Sequence, residues 1–427
     1  MNWESWGRYP RLSQTAKALY WQSEAPHLLA EGTYLPVGLG RSYGDVCLSD
    51  SGTVMTTKFM NRVIAFDHRS GHIRAEAGIA LSDLLKVTLP HGWFLPVTPG
   101  TKYVTLGGAV ANDVHGKNHH TAGTFGRHVT ELVLERSDGR RIVASATNDE
   151  PWFRATIGGL GLTGLIVEVS LRLKRVQGPF VSQELIRFRS LDDFSKLTES
   201  SDRDWEYTVA WVDAARRSRG LGRGIFIRGN HASKQGKPDI PGPRINIPVQ
   251  GPEWLLNPWS IRCFNNLYYH RPLKSGLQHF DPFFYPLDVL GHWNRLYGRR
   301  GFVQYQCAID DLDLVGRILA YCAKHKRYSF LSVLKKFGNQ PAAGTLSFPM
   351  PGYTLTLDLP ADPNTLRVLD QLDQWVLDAG GRIYPAKDAR MSRDTFKRCF
   401  PQWRDMQPFM DPRISSAFWQ RVSGEKP

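Results

Sequence analysis

The sequence predicts an α+β protein of two domains, one moulded around glycine-rich turns and the other around a sheet carrying helices on one face. The chain of 427 residues is long enough for two full cores. The stretch Leu95 to Gly126 places glycine at 100, 107, 108, 116, 123 and 126 among apolar residues such as Val104, Leu106, Val110 and Val114. Each glycine weakens a helix interior by about 1 kcal/mol relative to alanine, so the stretch is no single helix. Its apolar residues point to burial, and a buried segment that exposes backbone reads as the floor of a ligand site. Finally, Phe302 to Tyr384 alternates strand, helix, strand, strand, helix, strand, the split βαβ (ferredoxin-like) order.

In chain order, the apolar approach Tyr34 to Val37 leads into Gly38-Leu39-Gly40-Arg41-Ser42-Tyr43-Gly44-Asp45. Successive N–H groups in such a turn form an anion-binding nest, to which Arg41 and Ser42 add donors. His72 to Ala77 reads as a strand. Leu81 to Leu89 reads as a helix capped near Ser82 and stopped at Gly92. Strands at Val129 to Arg136 and Arg141 to Ala144 are joined at Asp138-Gly139, a hairpin dipeptide. Gly159 to Gly164 spells GxGxxG, but the β-branched run Leu165 to Leu173 after it predicts a strand where a nicotinamide-dinucleotide motif needs a helix.

Between Gln177 and Gly301 the pattern loosens, and 232–259, rich in Pro and Gly, reads as a mobile loop or lid. Helices follow at Leu312 to Lys324 and Thr365 to Leu377, between strands at Phe302 to Ile309, Ser329 to Phe337, Tyr353 to Leu359 and Arg382 to Tyr384. The expected division is 1–176, 177–380, and a segment 381–427 that returns to the first domain. Alternation places Val303, Tyr305, Cys307, Ile309, Leu355 and Leu357 on the helix side of the sheet. Gln304, Gln306, Thr354 and Thr356 fall on the uncovered face, joined by Lys335 and Phe337, as a wall for substrate.

Lys and Arg number 54 against 40 Asp and Glu, a formal charge of +14, which fits a polyanionic or membrane-surface partner. No RNP, zinc-finger or basic-zipper pattern appears, so nucleic acid is not expected. Five scattered cysteines without CxxC argue against a disulfide framework or a structural zinc, and no metal is expected. The N-terminus lacks a signal-peptide core and no window is apolar enough to span a bilayer. The expectation is a cytoplasmic protein with peripheral contact at the inner membrane.

The runs Gly38 to Asp45, Pro96 to Thr101 and Gly107-Gly108, and above all His115-Gly116-Lys117-Asn118-His119-His120, resemble the decaprenylphosphoryl-ribose 2′-oxidase family. That family lies within the FAD-linked oxidases of the vanillyl-alcohol oxidase and p-cresol methylhydroxylase (PCMH) type. The resemblance extends to Ala210-Trp211, Tyr305-Gln306, Ser347-Phe348-Pro349 and Ala386-Lys387-Asp388. It implies a PCMH-type FAD fold, with Gly38 to Asp45 on the pyrophosphate. It implies also that Gly100, Thr105, Leu106, Gly107, Gly108, His115, Gly116, Lys117, Asn118, Ile166 and Tyr384 complete the FAD site. Arg41 stands where covalently flavinylated relatives often carry His, so the FAD is expected to be noncovalent.

The resemblance further implies hydride transfer from a sugar C2–H, with Lys387 as the active-site lysine. Gln304 and Gln306 are assigned to sugar hydroxyls, and Lys117 and Lys335 to a phosphate or developing alkoxide. Thr354 and Thr356 replace Asn and Cys of mycobacterial-type members, and Phe284 stands where a tyrosine is expected. The expected substrate is a polyprenyl-phosphate-linked ribose, and the expected partner a separate NAD(P)-dependent reductase. The competing readings are a soluble aldonolactone or alditol oxidase acting on free sugars, and a noncatalytic basic protein binding membrane or nucleic acid.

Overall fold

The computed structural model describes residues 3–31, 34–49, 52–216 and 220–424. Near the N-terminus, Thr15–Ala18, Thr53–Thr56 and Leu35–Val37 form a parallel three-stranded sheet. Beside it runs an antiparallel sheet in the order Val63–Asp67, His72–Glu76, Leu165–Arg172, Val129–Glu135, Arg141–Ser145. Its central strand Leu165–Arg172 is buried up to Arg172 because both faces are covered. Leu165 and Val167 pack toward the parallel sheet, while Ile166, Val169 and Leu171 join the helices Leu81–Thr88 and Leu106–Ala111. This is why a β-branched run, rather than a helix, follows the GxGxxG spelling.

The rest of the chain builds one antiparallel sheet of eight strands. Its order is Gly276–His279, Phe180–Phe188, Gly224–His231, Tyr207–Val212, Ser332–Phe337, Gly352–Pro360, Phe302–Ile309, Arg382–Ile383. The last four reproduce the expected split βαβ unit, with helices Leu312–Lys324 and Pro363–Asp378 on the face holding Val303, Tyr305, Cys307, Leu355 and Leu357. The pattern that looked loose between 177 and 301 contributes four further strands to this sheet, with the helix Leu191–Ser201 among them, so the sheet is twice as wide as expected. Tyr207–Val212 is buried on both faces and therefore carries no alternation to read.

Two local readings are corrected. The helix expected to be capped near Ser82 starts from Ala80, whose side chain cannot cap; Ser82 is buried within the first turn, its amide bonded to Lys102 O. The strand expected from Ser329 begins at Ser332, because the Ser329 hydroxyl accepts from the Asp358 amide instead. Within 232–259 the one regular piece before the helix Pro258–His270 is Ile245–Asn246, paired with Leu290–Gly291.

Candidate active site

The first glycine turn leaves the strand Leu35–Val37 and meets the N-cap of Leu106–Ala111, where Thr105 Oγ1 accepts from Gly108 N at 3.1 Å. A Cβ on Gly38 would stand 2.2 Å from that hydroxyl, so this crossing requires glycine. Gly44, at the far end of the turn, lies against Asp388: a Cβ there would come within 1.7 Å of the Asp388 carbonyl oxygen. Tyr43 N also donates to Ala386 O at 3.1 Å, which fastens the turn to the segment bearing Lys387.

Between these turns and the uncovered face of the large sheet lies a cavity of about 1340 Å³. Small-molecule pockets are typically roughly 300–1,000 Å³, so there is room for a dinucleotide and a second molecule. Gly38, Leu39, Gly40, Arg41, Ser42, Tyr43, Gly100, Thr105, Gly107, Gly108, His115, Gly116, Lys117, Ile166 and Tyr384 all line it. From the sheet and the turn after it come Gln304, Gln306, Lys335, Thr356 and Lys387, and Phe284 contributes from the helix Phe280–Phe284.

Four of the residues expected at the cofactor lie behind the cavity. Gly44 makes the close approach just described. Asp45 is buried and ion-paired with Arg421 at 2.7 Å, the same guanidinium that reaches Asp388 at 2.9 Å. Leu106 is fully buried among apolar side chains. Asn118 is buried and donates to Pro96 O at 2.8 Å, holding the glycine-rich segment in shape.

The residues present fit a dinucleotide cofactor. The amides of Leu39, Gly40, Arg41 and Ser42 have no hydrogen-bond acceptor among the described residues, although each of these residues lines the cavity. Adjacent donors left open in this way match a pyrophosphate. Gly100, where an added Cβ would meet nothing within 4 Å among the described residues, and Gly108, where it would meet only Thr105 Oγ1 among them, leave a thin wall for a flat ring.

The opposite wall is chemically different. Burial pushes Lys117 and Lys335 down to about 7, Lys335 also feeling the charges of Lys117 and Lys387. Burial likewise lowers Lys387 to about 8, opposed by the attraction of Asp358, whose own carboxyl burial pushes up to about 7. Gln304 Nε2 donates to Asp358, and Lys387 Nζ lies 3.8 Å from the centroid of the Tyr43 ring. Asp358 also lines the cavity, and sequence reasoning missed it. The signal was present, since 358 shares the strand face of Thr354 and Thr356.

His115 joins the two walls. Its Nε2 lies 3.0 Å from Gln306 Nε2 and its Nδ1 2.9 Å from Lys335 Nζ. Burial, reinforced by Lys335, pushes the imidazole well below its ordinary range, so it is neutral. A charged Lys335 donates to Nδ1, which leaves the proton on Nε2. That tautomer requires Gln306 to present its amide oxygen to the ring, the reverse of the placement in which its Nε2 faces His115 and Thr354. Thr354 does not line the cavity; its hydroxyl, 3.1 Å from Gln306, fixes that amide from behind.

Open backbone donors, a thin glycine wall and a facing set of half-buried lysines define a flavin-dependent oxidoreductase. Residues 30–145 match the FAD binding domain family. The chain is 34% identical to decaprenylphosphoryl-β-D-ribose oxidase of Mycolicibacterium smegmatis over 88% of this chain and 85% of that protein. It is 32% identical to an uncharacterised protein of Streptomyces coelicolor over 80% of this chain and 97% of the other. L-gulonolactone oxidase of Mus musculus is 32% identical over 32% of this chain and 30% of its own length. The chain belongs to the decaprenylphosphoryl-β-D-ribose oxidase family of FAD-binding oxidases, and its cofactor is FAD.

Proposed function

We propose that the protein oxidises the 2′-hydroxyl of a polyprenyl-phosphate-linked ribose to the ketone, the first half of an epimerisation that a separate NAD(P)-dependent reductase completes. The observation carrying this reading is the placement of Lys387, Asp358 and Gln304 on the wall facing the glycine turns. The name and coverage of the mycobacterial relative support the choice of sugar. Lactone oxidases match over only about a third to two fifths of the chain, which favours the lipid-linked pentose over a free lactone or alditol.

In this reading Leu39 to Ser42 hold the FAD pyrophosphate through their amides, and Gly100, Gly107 and Gly108 admit the flavin ring. Bound FAD supplies the acceptor for the hydride that leaves the carbinol carbon. The hydroxyl proton passes to Lys387 Nζ, which burial keeps partly neutral near neutral pH. Asp358 then compensates the ammonium that forms. Gln304 and Gln306 orient the sugar hydroxyls, and Lys117 and Lys335, when charged, hold the phosphate.

Anaerobic flavin bleaching tests the reading. Polyprenylphosphoryl ribose is expected to reduce the flavin, whereas free alditols and aldonolactones are not. Bleaching by the free compounds alone would overturn it.

A further inference from the structure

The helix Pro258–His270 turns large apolar side chains outward among its exposed Arg262, Asn266 and His270. Its inward stripe is Ile261, Asn265 and Tyr269, all buried. The outward side carries Trp259 at 75% and Leu267 at 73% exposure, with Cys263 exposed between them at one-turn spacing. Asn257, which caps the helix, also donates to Trp254 O at 2.9 Å, and that tryptophan is 72% exposed. A soluble helix ordinarily turns charged and polar residues outward. Exposed Trp and Leu in such numbers mark a surface that meets something apolar.

Two observations identify the partner. First, the exposed ionic residues over 232–300 are mostly cations: Lys234, Lys237, Arg244, Arg262, Lys274 and Arg299 against Asp239 and Glu253. Apolar anchors on a predominantly basic segment match the boundary of an anionic bilayer, where indoles sit at headgroup depth and cations meet phosphates. Second, Phe264 on the same helix lines the cavity and is still 45% exposed, so the cavity opens beside this face; Tyr268, Arg271 and Lys274 continue its lining.

We propose that the outward face of Pro258–His270, with Trp254, docks on an anionic lipid bilayer and sets the cavity opening against it. The surface deepens the reading of a lipid-linked substrate and rests on it for the reason a membrane is near. A prenyl chain then passes from the bilayer along Phe264 and Tyr268 without crossing water, while its phosphate moves toward the lysines that line the cavity.

The test uses the flavin-loaded full chain without substrate, so it is independent of which sugar is oxidised. In flotation assays the protein is expected to rise with vesicles of equal parts phosphatidylcholine and phosphatidylglycerol, and not with phosphatidylcholine alone. The variant W254S/W259S/L267S is expected to bind about tenfold or more weakly while keeping its flavin, since none of the three residues lines the cavity. Failure of the unaltered protein to float, or equal flotation of the variant, would overturn the proposal. So would a dimer in sedimentation velocity that the variant dissociates, which would assign the face to a second copy. If vesicle binding holds while lipid-linked pentoses leave the flavin oxidised, the docking surface stands and the substrate reading fails.

Discussion

The two walls of the cavity solve opposite problems. The glycine wall works by having little: among the described residues no side chain fills the slot at Gly100 or Gly108, and the amides of Leu39 to Ser42 have no acceptor. The sheet wall works by having much, with Lys335, Lys387 and Asp358 held where water is scarce and their protonation is displaced by burial. The difference teaches that a tightly held cofactor is best met by fixed backbone dipoles, which need no proton exchange. A reacting hydroxyl needs side chains whose proton affinity lies near the working pH. Damage to the first wall should therefore remove the cofactor, and damage to the second should leave it in place and idle.

The sharpest way to break that contrast is Gly108→Leu. An added Cβ meets only Thr105 Oγ1, at 2.9 Å, so the rest of the side chain enters the cavity. The protein should fold but purify colourless; a variant with a full flavin absorption band would refute a glycine wall shaped for the ring. Next comes Lys387→Ala, which should retain its flavin while anaerobic reduction by substrate slows roughly 10²- to 10⁴-fold. A normal reduction rate would remove Lys387 from the chemistry.

A third substitution addresses the joint between the walls. Arg421 pairs with Asp45 behind the glycine turn and with Asp388 beside Lys387. Arg421→Met leaves two buried carboxylates without their cation and should cost about 3 kcal/mol, read as a lowered denaturation midpoint. An unchanged midpoint would show that the walls are held together by other contacts. The smallest effect concerns Asp358→Asn. If neutral Lys387 is the base, flavin reduction rises with pH through about 8. The carboxylate of Asp358 raises the lysine, so its removal should move that rise to lower pH, with a fall in the plateau rate smaller than that caused by loss of Lys387. A shift to higher pH, or none, would uncouple the pair.

The parts of the molecule legible in the sequence are those whose signal is local. Leu312–Lys324 was readable to the residue because its apolar side chains recur at helical spacing and its ends carry Asp311 and a final Lys. The strand after the GxGxxG spelling was readable from its β-branched content. The strands Phe180–Phe188, Tyr207–Val212 and Gly224–His231 were not. Tyr207–Val212 is buried throughout, and Phe180–Phe188 is mostly half-buried, so neither alternates cleanly. Ser82 looked like a cap because serine caps helices well, but tertiary packing set the helix start at Ala80.

The candidate site divides in the same way. Gln304, Gln306, Thr356 and Lys335 could be placed on one sheet face by alternation alone, and Asp358 obeys the same rule. Gly44, Asp45, Leu106 and Asn118 share a motif with residues that line the cavity yet lie behind it, because a motif names a segment and not the direction of each side chain. Sequence by itself determined the glycine turns, the split βαβ rhythm and the faces of its strands, all properties of neighbouring residues. Tertiary structure alone decided that the first glycine turn meets the Lys387 turn, that Arg421 clamps both, and that the lysines lose affinity for their protons. Those outcomes depend on what surrounds each group in space, and chain segments far apart in sequence supply those surroundings.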